Sequence, residues 1–485
     1  MGKIMLHRGE TSATESVASL LDEPACPTGR YVQAGAPARP GRRRDYLASA
    51  ALAIAVVCWS PTLVFAQNAP SQSPGALAPA QAAPPAPTTL TGDWGGARSK
   101  LRDEGIDITG GFKGELLGNV SGPFPAKAAE SGEFDLGATI DTKKLFGLIG
   151  GTLQTTITIR EGAPPPGHLL QQSEEVFGRG NIARLTEFWY RQKLFDDLLT
   201  LKFGRIPQGD FNNFSCEFMN LTFCGAPGGN LVGNYWFNWP IAQWAAWGRI
   251  NVGDFDFMSG VYEINPRDLD LNFAPGLFNG ATGAMIHAEV GWSPKFGASG
   301  LQGHYQAGVW RDSSGGPDVL IGSDGRPFAL TGLAPLRQGD RYGYYIQGQQ
   351  QLTGTATYDS DGGWKNSKGL AFFFNFTQAD RATATVDNQF AAGLLYASPF
   401  DWRPNDSLGV AVGRTDFNPR AAQALALANP GAPVPHAEYP VEVFYSYQVT
   451  PWFAVRPDFQ YIADPGGFTH AQGEIMVGVR TDVKF

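Results

Sequence analysis

The sequence predicts an all-β fold, a transmembrane antiparallel β-barrel of about sixteen strands with a short N-terminal helical segment. The first observation is the strict alternation of apolar and polar residues over 471–485, because only a strand turns successive side chains to opposite faces. The second is a composition of 61 glycines and 12% aromatic residues with only 17% charged residues. The third is a series of alternating segments of about 9–11 residues, the length that a tilted strand needs to cross a bilayer. Outer-membrane barrels combine these features.

Residues 1–66 have the features of a leader with a signal peptide. Three arginines at 42–44 precede a short apolar run at 47–57, and a small-residue cleavage pattern follows at 64–66. This order is typical of a secretory signal, and the apolar run is too short to span a bilayer. We expect cleavage after Ala66. A twin-arginine signal is the alternative, but that route carries folded cargo and a barrel must cross unfolded.

The remaining chain divides into a spacer and one domain. Residues 67–89 are rich in Ala, Pro, Ser and Gln, which predicts a disordered spacer. The barrel domain is expected over 90–485. Residues 99–104 could form one or two helical turns that end at Gly105, and strands dominate from Ile106 onward.

Sixteen strands are predicted, an even number that matches bacterial barrels. They lie near 106–118, 133–141, 150–160, 184–194, 198–204, 244–252, 255–264, 283–292, 301–310, 341–352, 368–378, 387–397, 407–416, 438–449, 452–462 and 471–485. A soluble β-sandwich alternates in the same way. Aromatic residues at the strand ends and connections that alternate between short and long favour the membrane barrel instead.

The long connection at 205–243 carries Cys216 and Cys224, the two cysteines outside the leader. Two cysteines this close in an exported chain predict a local disulfide, with two free thiols as the alternative. A loop of this length could fold into the lumen and narrow it, or cap the lumen from outside. The sequence leaves both arrangements open.

Composition and motifs exclude several classes of function. The net charge of −8 makes the chain a poor nucleic-acid binder, since that affinity comes from neutralising phosphates. The sequence has no phosphate-binding glycine loop, no metal-binding His or Cys spacing and no Gly-x-Ser-x-Gly nucleophile motif. We therefore expect no catalytic residue, no metal, no cofactor and no nucleic-acid partner. An enzyme housed in a barrel stays an alternative, because a carboxylate pair would not show in the sequence.

Short motifs follow one another in order from residue 90 to residue 485. They are LTGDWGGAR at 90–98, FGR at 203–205, GDF at 209–211, CEFMN at 216–220, FCG at 223–225, TPW at 450–452, RPDFQYI at 456–462, DPGG at 464–467 and VGVR at 477–480 before Phe485. Together they resemble the carbohydrate-selective porin family, often called the OprB family. The resemblance implies a sixteen-stranded barrel in the outer membrane of a Gram-negative bacterium, through which sugars diffuse into the periplasm.

The resemblance also implies partners. These are small sugars (mono- and disaccharides or polyols), outer-membrane lipid and the barrel-insertion machinery, which would read Phe485 as part of an assembly signal. A monomer and a homotrimer are both compatible with the sequence. A general diffusion porin and a non-conducting surface receptor on the same barrel are the alternative functions.

Charged residues on the polar face of the strands are the candidates for the pore lining, because sugar hydroxyls need both donors and acceptors. They are Lys113, Glu115, Arg160, Glu187, Arg191, Lys202, Arg205, Arg249 and Glu289. Arg160 and Arg205 are the first choices, Arg205 because its strand meets the long loop there. The alternative for each residue is a charge that only solvates the wall. Trp94 and Arg98 are expected to pack the N-terminal segment against the barrel.

Overall fold

The computed structural model describes residues 88–485 except 177–180, 214–216, 224–230, 232–234, 271–272 and 359–362. The predicted leader and nearly all of the predicted spacer lie outside the described residues. Among the described residues, no helix is both long enough and apolar enough to cross a membrane.

The described residues form twenty strands and four α-helices. The strands are β1 (Ile106–Ser121), β2 (Ala128–Asp141), β3 (Gly151–Gly162), β4 (Ile182–Leu194), β5 (Leu199–Ile206), β6 (Gln243–Val252), β7 (Phe255–Ile264), β8 (Gly283–Trp292), β9 (Lys295–Phe296), β10 (Leu301–Asp312), β11 (Gly316–Gly322), β12 (Pro335–Gln338), β13 (Arg341–Gln351), β14 (Thr355–Tyr358), β15 (Trp364–Gln378), β16 (Val386–Ala397), β17 (Ser407–Phe417), β18 (Ala437–Thr450), β19 (Phe453–Ala463) and β20 (Glu474–Lys484). The helices are α1 (Ala97–Asp103), α2 (Thr142–Phe146), α3 (Phe328–Thr331) and α4 (Pro419–Ala428).

Sixteen of the described strands form one closed antiparallel barrel, as the alternation predicts. Strands that follow one another around the wall are hydrogen-bonded, and β1 pairs with both β2 and β20 to close the ring. The short strands β9 and β14 extend β10 and β15, while β11 and β12 form a separate hairpin. The last strand begins at Glu474 rather than at 471, because a turn in which the Ala471 N–H donates to the Phe468 carbonyl precedes it.

The two ends of the barrel carry connections of different length. Turns at 195–198, 253–254 and 451–452 lie at one end, which we call the turn end. Connections at 163–181 and 207–242 lie at the other end, which we call the loop end. This asymmetry is typical of outer-membrane barrels.

The wall is apolar outside and polar inside. On β3, Ile157 and Ile159 are exposed, whereas Thr158 and Arg160 are buried. The same arrangement recurs around the ring, so the buried side of the wall holds carboxylates, guanidinium groups and amides. A soluble protein shows the reverse, and the pattern is that of a barrel whose outer face contacts lipid.

The N-terminal segment lies at the seam where β1 meets β20. Arg98 is buried and donates hydrogen bonds to the carbonyl oxygens of Ile108 and Phe485, at 2.8 Å each. The guanidinium carbon of Arg98 is 5.4 Å from the centre of the Trp94 ring. The Leu90 N–H also donates to the Lys484 carbonyl at 2.7 Å. The segment therefore packs against the closing strands, in agreement with the expectation for Trp94 and Arg98.

Candidate pore and its lining

The connection between β5 and β6, residues 207–242, folds into the barrel. Its described residues contact β2, β8, β10, β13, β15, β17, β18 and β19, which lie on different sides of the ring. Phe211, Phe218 and Trp236 are fully buried between the loop and the wall. This settles the question that the sequence left open. Cys216 and Cys224 lie outside the described residues, so their disulfide stays a prediction.

Carboxylates of the wall hold this inner loop. Glu289 on β8 accepts the Asn212 N–H at 2.7 Å, and it also accepts hydrogen bonds from other wall side chains. Glu442 on β18 accepts the N–H groups of Met219 and Asn220 at 2.6 and 2.8 Å. The predicted pore residue Glu289 therefore fixes the inner loop.

A second connection, residues 163–181, also enters the lumen. Glu115 on β1 accepts the N–H groups of Glu175 and Val176 at 3.1 and 3.0 Å. The Gln460 amide on β19 donates to the Ser173 carbonyl at 2.8 Å. Glu115, like Glu289, thus positions a loop through that loop's backbone.

Glu175 lies between two cations of the wall. Its carboxylate is 2.8 Å from Lys113 Nζ and 2.6 Å from Arg480 Nη1. Arg480 also contacts Asp482 at 3.0 Å, and Lys113, Glu175 and Asp482 are each partly exposed, so solvent reaches this cluster. Burial alone would raise the pKa of the Glu175 carboxyl, but Lys113 and Arg480 outweigh it and hold the pKa below its usual range.

A buried ion pair between β2 and β3 lies beside an exposed indole. These strands are on the other side of β1 from β20, which carries Arg480. Arg160 on β3 donates from Nε to the carboxylate of Glu133 on β2, and both side chains are buried. The Trp239 indole of the inner loop donates to the other oxygen of Glu133 at 3.2 Å. Trp239 is 36% exposed, although this part of the chain is otherwise largely buried. An aromatic face, a donor and an acceptor are thus adjacent.

Cationic side chains of β4, β5 and β6 lie over the rings of two tryptophans, Trp189 and Trp247. Lys202 Nζ is 4.0 Å from the Trp189 ring centre and 2.7 Å from Asp210. Arg191 also lies over Trp189, at 5.7 Å, and Arg249 lies over Trp247, at 5.5 Å. These distances are within the range of cation–π attraction. The structure therefore brings Arg191 and Lys202 together around one indole.

A bulge in β4 determines the face of Glu187. The register changes from Thr156 opposite Glu187 to Ile157 opposite Leu185, so one extra residue enters β4. Leu185 therefore turns to the outer face, whereas Glu187 accepts hydrogen bonds from Thr156 and the Trp189 indole, at 2.6 and 3.0 Å. Simple alternation, without the bulge, places Leu185 and Glu187 on the same face.

Arg205 differs from the expectation. It is paired across the sheet with Phe188, which is 53% exposed on the outer face, and with Trp244. Paired residues share a face, so Arg205 belongs to the outside of the wall and not to the pore. It is buried because the connection at 265–282 covers it, with Asp268 at 3.2 Å. Its position at the start of the long loop was a poorer guide than the alternation with its neighbours.

Sequence reasoning missed several residues of this site. Glu133 and Arg480 lie on strands, and their alternation with apolar neighbours could have identified them. Glu175 and Trp239 lie on connections, where no period marks which side chains point into the lumen.

Relatives agree with this architecture. The family model described as "Carbohydrate-selective porin, OprB family" matches residues 126–485. The chain belongs to this family. Porin B of Pseudomonas aeruginosa is 35% identical over 431 residues, which cover 84% of this chain and 93% of that protein.

Solved structures of Pseudomonas putida OprB match this porin as well. The high-pH structure has a TM-score of 0.76 at 36% identity and covers 82% of this chain and 99% of its own. The low-pH structure has a TM-score of 0.51 at 28% identity, with coverage of 82% and 98%. The chain is thus a porin of the Gram-negative outer membrane, with the fold that its alternation predicts.

Proposed function

We propose that neutral sugars, namely mono- and disaccharides and polyols, diffuse passively through this porin into the periplasm, without catalysis or cofactor. The observation that carries the proposal is the adjacency of the exposed Trp239 indole to the pair of Glu133 and Arg160. The partly exposed cluster of Lys113, Glu175 and Arg480 adds both signs of charge. The family description, which names carbohydrate selectivity, supports the same substrate class.

The chemistry of this lining suits a transient sugar site. The exposed indole face fits the C–H face of a pyranose, and the buried pair of Glu133 and Arg160 holds the ring in place. The partly exposed Lys113 donates and the partly exposed Glu175 accepts hydrogen bonds to hydroxyls. These groups already bind one another, so each sugar hydroxyl only exchanges partners, with a net gain of about 0.5–1.5 kcal/mol. A few such contacts give millimolar affinity, which corresponds to about 4 kcal/mol. A pore needs such weak binding, because the sugar must also leave.

Sugar block of single channels tests the proposal. Purified porin in a planar bilayer is expected to conduct, and adding a mono- or disaccharide is expected to lower the conductance. Trp239→Ala should raise the half-blocking concentration roughly fivefold, the equivalent of about 1 kcal/mol of lost aromatic contact. Trp402→Ala is the matched control, since Trp402 is an exposed indole at the turn end.

Two outcomes would contradict the proposal. A large conductance that no sugar reduces would indicate a general diffusion porin. The absence of any current from correctly folded protein would indicate a non-conducting receptor, in which the inner loop seals the lumen. Liposome swelling across a panel of sugars would then separate size exclusion from selectivity.

A further inference from the structure

The connection between β7 and β8 lies over the outer face of the wall. We call its described residues, 265–270 and 273–282, the rim loop. The Phe273 carbonyl accepts the N–H of Leu185 on β4 at 2.9 Å, and the Pro275 carbonyl accepts the Trp244 indole N–H on β6 at 3.1 Å. Both contacts are near the loop end of the barrel, so the rim loop runs along the loop-end parts of β4 to β6.

The rim loop covers charged residues that the strands place on the outside. Arg205 lies in register with the outward residues Phe188 and Trp244. Glu263 follows the exposed Val261 by two residues on β7 and therefore shares its outer face. Yet Arg205 is only 1% exposed and Glu263 only 6%.

Rim-loop groups bind both of these charged side chains. Asp268 forms an ion pair with Arg205 at 3.2 Å. The N–H of Phe278 donates to the two carboxylate oxygens of Glu263 at 3.1 and 3.2 Å. A charged side chain facing acyl chains destabilises a barrel. The cover removes that cost in the row that holds Arg205 and Glu263.

In place of the charges, the rim loop presents large apolar side chains. Phe273, Leu277 and Phe278 are 50%, 52% and 74% exposed. Phe278 also has a φ of 60°, a left-handed conformation that strains a bulky residue. The hydrogen bond to Glu263 holds it there, so the structure keeps this aromatic side chain outside rather than folding it inward.

We propose that the rim loop is a lipid-contacting surface that extends the apolar band of the barrel across the loop end of β4 to β7. The patch is continuous with the exposed outer-face residues Phe188, which lies in the row of Arg205, and Val261, which lies one row nearer the turn end. Two residues along a strand span about 7 Å, so the loop adds roughly one row to the band on this side. Its occupant is membrane lipid, and this inference is independent of which solute the pore carries.

Folding into bilayers of different thickness tests the rim loop. The double variant Phe273→Ser with Phe278→Ser should fold in detergent like the wild type. In phosphatidylcholine vesicles with long acyl chains, its folding equilibrium should shift roughly tenfold or more toward the unfolded state, because two lipid-contacting rings are lost. Short-chain vesicles should show a smaller shift, since a thinner bilayer does not reach the added row. Leu330→Ser, which removes an apolar side chain that is 64% exposed on α3, is the control and should shift neither equilibrium.

Fluorescence locates the contact directly. Phe278→Trp should gain emission that brominated phosphatidylcholine quenches, whereas the added emission of Leu330→Trp should not be quenched. Equal quenching of the two variants would overturn the proposal. A second pair of results would also overturn it: Phe278→Trp is not quenched, and the wild type forms an oligomer that the double serine variant does not form. A second copy of the chain, and not lipid, would then cover the patch.

Discussion

At the scale of single residues, Glu175 balances two cations of the lumen. It bridges Lys113 and Arg480, and the backbone contacts that Glu115 makes fix its position. Because the two cations hold the pKa of its carboxyl below the usual range, Glu175 stays ionised in mildly acidic solution. The carboxylate thus cancels cations that would otherwise attract anions into the pore.

Glu175→Gln is expected to shift the pore toward anions. Replacing the carboxylate with an amide leaves Lys113 and Arg480 with one partner fewer, so the potassium-to-chloride permeability ratio should fall, by about twofold or more at low salt, where screening is weak. Reversal potentials in a potassium chloride gradient measure the ratio. The difference from the wild type should persist from pH 7 to pH 5, since protonation of Glu175 begins only below its usual pKa.

Glu104→Gln is the matched control for this prediction, because Glu104 is an exposed carboxylate near the turn end. It should leave the ratio unchanged. A Glu175 variant with the wild-type ratio, or a difference that disappears at pH 5, would contradict the role assigned to this carboxylate.

Alternation along a strand identifies the face of a residue but not its partner. It places Lys113, Arg160 and Lys202 on the inner face of the wall, as the structure does, yet it does not indicate that Glu115 and Glu289 hold loops through backbone N–H groups. Loop residues such as Glu175 carry no periodic pattern at all. The parts of the site that alternation missed are therefore those that depend on how connections fold back into the ring.

At the scale of elements, the barrel strands are predictable because each alone repeats a period of two. The smaller elements depend on local chemistry instead. The helix α4 follows the Asn418 cap, whose side chain accepts the Arg420 N–H at 2.9 Å, with Pro419 at its first position and an alanine-rich run behind it. These features were present in the sequence. The hairpin of β11 and β12 offers no comparable pattern, since its strands are short and irregularly paired.

The inner loop is an element whose position depends on Glu442. We expect Glu442→Gln to loosen it. The carboxylate accepts the Met219 N–H with one oxygen and the Asn220 N–H with the other, whereas an amide has only one oxygen. One of these two N–H groups therefore loses its acceptor. Leaving a buried N–H without its acceptor costs about 1–3 kcal/mol. Amide hydrogen exchange over 217–223 should therefore accelerate roughly tenfold or more, and the open-channel current should become noisier.

Glu438→Gln provides the comparison on the same strand. Glu438 accepts the N–H groups of Leu170 and Gly466, at 3.0 and 2.7 Å, and these belong to other connections. Its variant should leave exchange over 217–223 at the wild-type rate. Equal acceleration in both variants would mean that the barrel as a whole, and not the inner loop, had been destabilised.

At the scale of the whole molecule, the fold depends on one seam that joins the two ends of the described chain. β1 pairs with β20 from Gly111 opposite Lys484 onward, and Arg98 binds the Phe485 carbonyl from outside both strands. Pairing of residues so distant in sequence is slow, because loop closure must precede the contacts that reward it. The seam is therefore the step at which barrel assembly is most easily lost.

Phe485→Ser should reduce assembly without altering the pore. The Phe485 ring packs edge-on against Phe134, with ring centres 5.6 Å apart, and serine removes that contact while the backbone bonds to Gly110 and Arg98 can still form. We expect the folded fraction in vesicles, read as heat-resistant gel mobility, to fall several-fold, since an aromatic contact of this kind contributes about 0.5–1.5 kcal/mol beyond its apolar burial. Barrels that do insert should keep the wild-type half-blocking sugar concentration, because the contacts described for Phe485 are with Phe134, Gly110 and Arg98 and not with Trp239 or the cluster around Glu175. Arg102→Ala, which changes an exposed cation on α1, should assemble normally. A Phe485 variant that inserts at the wild-type level, or one whose sugar block is altered, would show that the seam does not act through closure alone.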